Sequence, residues 1–138
     1  MMTLSASWDL QKSVFNYLVN DATLTGILGG QSVYDDVPQR AAFPYITFGQ
    51  TSARDWSTGT EDGKEHLMTL HVWSKGGGKK ETSEIIDVLC EKLHGNSLQL
   101  TDHHLVNLRC EFSEARRTVD GEKIHGIVRY RAVTEPVG

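Results

Sequence analysis

No apolar run in this chain approaches the ~20 residues that a membrane-spanning helix requires. Cysteine is scarce, with two residues, proline is scarce, with three, and basic charge is not in excess. Lys and Arg total 14 against 18 Asp and Glu, for a formal net charge of −4. Each shortage excludes something. A chain without clustered positive charge lacks the footprint of a sequence-independent duplex binder, which must displace counterions from phosphates. Cys90 and Cys110 lie inside strongly periodic segments, so both read as small buried apolar residues and a disulfide is not expected. The opening MMTLSASWDL has neither a basic start nor an apolar core. An ordinary secretory signal is therefore not expected, and the protein should stay in the cytoplasm unless an assembly carries it out.

What is present suits a single soluble globular domain over residues 1–138, with 38% hydrophobic and 23% charged residues. Leu10, Val14, Tyr17 and Leu18 recur at helical spacing, with Ser7 as the expected N-cap and Asp9 favouring the positive helix end. Asp21 should cap a short second helix bearing Leu24, Ile27 and Leu28, stopped by Gly29 and Gly30. Pro38 and Pro44 then predict an irregular extended linker. From Tyr45 a strand sets Ile46 and Phe48 on one face, and EHLMTLHVWS aligns Met68, Leu70 and Val72 by alternation. The two should form a long hairpin arm whose tip is STGTEDG.

After the break SKGGGKK, Ile85, Ile86, Leu89 and Leu93 form the apolar stripe of a third helix, opposite Glu84, Asp87 and Glu91 and ended by Gly95. LVNLRCEF and KIHGIVRYRAVTE then alternate as two more strands. A two-residue loop of Asp120 and Gly121 would oppose Phe112 to Arg129 and mix the faces. The expected register instead sets Phe112 opposite Tyr130 and Glu111 opposite Arg131, through a three-residue loop or a bulge. The predicted fold is α+β: about four main antiparallel strands forming a sheet, with helices packed on one face.

Candidate chemistry is thin. Six histidines are present, but no spacing converges three or four of them on a metal; His66 and His71 point to opposite faces of one strand, and His103 and His104 diverge likewise. No nucleophile-elbow pattern occurs, and the cysteines sit on apolar stripes where a thiol stays unreactive. Asp35 with Asp36, and Glu61 with Asp62, read as solvated loop charges. GGGKK lacks the strand, spacing and Lys-Ser/Thr ending of a phosphate loop. Trp73 reads as core packing, whereas Trp56 borders a polar tip, where aromatics bury surface against partners.

Several stretches taken in order resemble a known family. The Trp8-Asp9-Leu10 helix, VYDDVP, FPYITFG, the hairpin from Trp56 to Trp73 and the closing RYRAVTEP resemble the tail-completion or tail-terminator proteins of long-tailed phages and gene transfer agents. The resemblance covers nearly the whole chain. It implies a structural protein without enzymatic activity or cofactor, located in the virion and in the host cytoplasm during assembly. Such a protein caps the tail tube as a ring, commonly a hexamer, and offers the docking surface for the head. The implied partners are copies of itself, the tail tube protein and a head-tail connector or stopper, with DNA passing through the ring without specific binding. Arg54, Trp56, Glu61, Lys64, Arg129 and Arg131 are the expected interface residues. The rival readings are a head-completion adaptor or stopper at the same junction, and a small enzyme or ligand-binding domain using His71 or His125.

Overall fold

A computed structural model describes residues 4–76 and 79–137. It is an α+β fold of three helices, α1 (Ala6–Val19), α2 (Ala22–Leu28) and α3 (Lys80–Leu93), and five strands. The strands are β1 (Val33–Tyr34), β2 (Tyr45–Asp55), β3 (Lys64–Lys75), β4 (His103–Arg117) and β5 (Lys123–Pro136), in the sheet order β1-β2-β3-β5-β4. β1 was not foreseen. It lies inside the expected linker and pairs in parallel, Val33 with Ile46 and Tyr34 with Thr47, so the sheet is mixed and not purely antiparallel. Two residues are too few to show an alternating pattern.

Helix starts follow from local hydrogen bonding. α1 is capped by Ser5, whose Oγ accepts the Trp8 N–H at 3.2 Å, two residues before the expected Ser7. Asp21 caps α2 as expected by accepting the Leu24 N–H at 2.9 Å, and Gly29 ends it with φ +80°. Asp9 lies in the first turn of α1 as expected and has a further role. Its carboxylate is buried and accepts the N–H groups of Thr101 at 2.9 Å and Asp102 at 2.7 Å, with His103 Nδ1 at 2.8 Å. Burial works to raise its pKa, but the His103 hydrogen bond and the two N–H groups together hold it below the usual carboxylate range.

Buried Leu10, Val14 and Leu18 of α1, Leu24 and Leu28 of α2, and Ile85, Ile86, Leu89 and Leu93 of α3 join one core cluster. It also takes in Ile46, Phe48, Met68, Leu70, Val72, Val128, Tyr130 and Ala132 from the strands. Gly126 lies at the closest approach: a Cβ there would stand 2.9 Å from Thr82 Cγ2 and 3.0 Å from Ile86 Cδ1. β2 and β3 pair from Tyr45↔Trp73 to Asp55↔Lys64, and β3 also pairs along its length with β5. The expected arm therefore lies within the sheet, and the part left outside the ladders is the tip between Trp56 and Gly63, closed by Trp56 N–H to Gly63 C=O at 2.8 Å.

The β4–β5 register differs from the expected one. Phe112 faces Arg129, and Tyr130 faces Cys110. The ladder shifts between Leu105 and Asn107 and again between Cys110 and Phe112, each shift inserting one residue into β4. Two bulges break the alternation that LVNLRCEF presents, which leaves Val106 and Phe112 exposed. The turn holds Asp120 and Gly121 at its centre, with Thr118 N–H bonded to Lys123 C=O at 2.9 Å. Cys90 on α3 and Cys110 on β4, expected to be separate thiols, are paired as a disulfide with Cα atoms 5.5 Å apart. Neither lies in the fully buried core; both pack at its margin.

Candidate interaction surface

The strand positions that alternate with the core residues build a second face. Across β2, β3, β5 and β4 its rows read Arg54, Glu65, Val133, Asn107; then Ser52, Leu67, Arg131, Arg109; then, from β3 outward, Thr69, Arg129, Phe112. Exposed Leu67 and Phe112 lie on it, and exposed Trp56 lies at its end, just after β2. Glu65 is its organising residue. One carboxylate oxygen accepts Arg54 Nε–H and the other accepts Arg131 Nε–H at 2.5 Å. The Arg131 hydrogen bond holds Glu65 below its usual pKa against the opposing effect of desolvation, and Arg54 adds to the lowering.

Both guanidinium groups reach the Trp56 ring, with their central carbons 5.4 Å (Arg54) and 5.1 Å (Arg131) from its centroid. Arg129 sits similarly 5.0 Å from the Phe112 centroid. A groove of about 350 Å³ runs between Ser52, Leu67, Glu111 and the Glu65 cluster. Of the residues expected from sequence, Arg54, Trp56 and Arg131 are brought together and Arg129 lies on the same face. Glu61 and Lys64 are not part of this group. Glu61 stays in the tip, where its backbone C=O accepts the Thr58 N–H at 2.8 Å. Lys64 falls on the other face of β3, lining a 270 Å³ hollow with Asp55, Asp62 and His103. Glu65 itself was missed, although the hairpin register, which sets it opposite Arg54, held the signal.

Farther along the same face, His71 Nδ1 and His125 Nε2 are 2.7 Å apart, and the His125 ring stacks on Trp73 with centroids 4.0 Å apart and planes 3° apart. Trp73 Nε1–H donates to Thr47 Oγ1 at 3.2 Å. Trp73 is therefore a half-buried residue of this face and not the core residue expected. Burial lowers the pKa of both imidazoles, aided by Arg129 at His71, and by His71 and Arg116 at His125. His71 and His125 thus form a packed, hydrogen-bonded pair. Gly49 makes room for it, since a Cβ there would collide with the His71 ring. His66 points the opposite way, is fully buried, and bonds through Nε2 to Thr134 Oγ1 at 2.8 Å. Among the described residues no three His, Cys, Asp or Glu side chains are grouped to hold a metal ion.

The α+β fold thus carries a sheet face rich in arginine and exposed aromatic residues, types enriched where proteins bury surface against one another. Residues 12–135 match the family described as Tail completion protein gp17, and the chain belongs to that family. It is also similar to a chain in the solved virion of a native gene transfer agent (GTA) particle. The two share 27% identity with a TM-score of 0.88, over 96% of this chain and 99% of that one. Curated protein sequences give no match.

Proposed function

We propose that this protein is a structural component of a virion tail, acting as one domain that closes the end of the tail tube as a ring, with six copies as the expected number. In this reading the helices are gathered on one side of the sheet, and the tip between Trp56 and Gly63, together with Arg54, Arg129 and Arg131, meets neighbouring subunits. Glu61 and Lys64 contribute from the tip and its base. The ring then offers its outer surface to a head-tail connector and its inner end to the tube protein, and DNA passes without specific contacts. No enzymatic step or cofactor belongs to this role.

The observation that carries the reading is the near-complete correspondence with one chain of a gene transfer agent virion, end to end in both chains. Electron microscopy of particles made without the gene tests it. Finished heads without tails, beside tubes of abnormal length, are the expected result. Tails of normal length that fail to join heads would move the protein to a connector role, and normal particles would overturn the reading.

A further inference from the structure

Arg109 on β4 and Arg131 on β5 stand directly opposite one another, a placement in which like charges repel. Two carboxylates lie beside the four arginines of this face, Arg54, Arg109, Arg129 and Arg131: Glu65, whose two oxygens are engaged by Arg54 and Arg131, and exposed Glu111, which lines the same groove, so positive charge is in excess there. Arg129, two positions along β5, rests on the exposed Phe112 ring. A protein of formal net charge −4 thus concentrates cations on one sheet face, next to exposed Trp56, Leu67 and Phe112. Arginine beside uncovered aromatic and aliphatic groups is the composition of a surface that a partner covers.

The opposite sign lies on α3. Its buried side carries Ile85, Ile86, Leu89 and Leu93, and the approach of Thr82 and Ile86 to Gly126 sets that side against the core face of β5. Its outward side carries Glu81, Glu84, Asp87 and Glu91, all exposed and spaced three or four residues apart, so they form one stripe. None of the four makes a salt bridge among the described residues. The lengths agree: ten residues of helix rise about 15 Å, and the path from Arg109 to Arg54 crosses three inter-strand gaps, about 14 Å.

We propose that the arginine face of one copy receives the acidic stripe of α3 from a second copy of the same chain. The inference rests on the ring reading above and specifies which two surfaces close the ring. Donor and receiver lie on opposite sides of the sheet, so each contact leaves one of each free for the next subunit, the head-to-tail arrangement that a ring needs.

Charge reversal tests it on both sides in assembled particles. Arg109→Glu with Arg129→Glu, and separately Glu84→Arg with Asp87→Arg, alter exposed residues outside the core and the Glu65 cluster. Each double variant should keep its circular dichroism and yet reduce the copies retained in purified particles by about tenfold or more. Combining all four should restore most of the loss. A combined variant as defective as either pair would show that the acidic partner is a different protein, and undiminished retention in both double variants would show that these surfaces stay uncovered. Either result overturns the inference while leaving the tail role to be judged by the deletion phenotype. Should a reversal unfold the chain, the neutral pair Arg109→Gln and Glu84→Gln is read by the same ratio, with reduced retention expected and unchanged retention counting against the proposal.

Discussion

Asp9 and His103, 94 positions apart in the chain, meet at 2.8 Å and tie the first turn of α1 to the start of β4. The Asp9 carboxylate is fully buried and accepts from three donors, so Asp9→Ala should cost about 2–4 kcal/mol, because the Thr101 and Asp102 N–H groups would be left without a partner. Chemical denaturation of wild type and variant measures the difference. The folded-state pKa lies below the unfolded one, so the stability that Asp9 contributes is complete above about pH 4. It is lost as the pH falls through the lower, folded value.

His66 acts in a different pH window. Burial lowers its pKa to about 4, so the imidazole is neutral in the folded protein while the unfolded chain takes up a proton near pH 6.5. Stability should therefore decline as the pH drops from about 6.5 toward 4, His66 adding the slope of one proton to what His71 and His125, also lowered by burial, contribute. His66→Leu should remove its own share of that slope from a series of denaturation curves across pH. A slope that persists unchanged would assign it to another group.

The Glu65 cluster can be followed optically. Glu65→Gln removes the charge that holds Arg54 and Arg131 over Trp56, so the indole should become more solvated and its fluorescence should shift to longer wavelength. Arg54→Ala, which removes the more exposed partner, should give the smaller shift. Trp8→Phe and Trp73→Phe backgrounds isolate the Trp56 signal.

Cys90 and Cys110 close a loop with a sequence separation of 20. Reduction, or Cys110→Ser, should lower stability by about 3 kcal/mol according to the loop-closure model. Thiol alkylation before and after reduction, read alongside a thermal melt, checks both the linkage and its effect. Full alkylation of the untreated protein would show two free thiols.

Gly126→Val should destabilise by about 1–3 kcal/mol through overpacking, since Thr82, Ile86 and the Val72 side chain crowd the position of the missing Cβ. A thermal melt at neutral pH measures it.

Much of this architecture is legible in the sequence where one periodicity runs unbroken. The stripe of α3, the cap at Asp21 and the alternation of Met68, Leu70 and Val72 all follow from such patterns. The failures have a common physical cause in single-residue insertions and in contacts remote in sequence. Bulges beside Val106 and Glu111 reverse the faces of β4, so Phe112 leaves the core side and Cys110 keeps it. The Asp9 tether and the Cys90–Cys110 bond depend on tertiary approach that no local pattern encodes. The interface residues divide similarly: Arg54, Trp56 and Arg131 share a face through strand parity, while Lys64, one position before Glu65, falls on the other.

β3 and β5 are interior strands, each with a neighbour on both flanks. Glu65, Leu67, Arg129 and Arg131 therefore stand on backbone whose amide hydrogens should be among the slowest in the molecule to exchange with water. A partner arriving at this surface meets side chains mounted on rigid strands, and little conformational entropy remains to be lost from the main chain when they are covered.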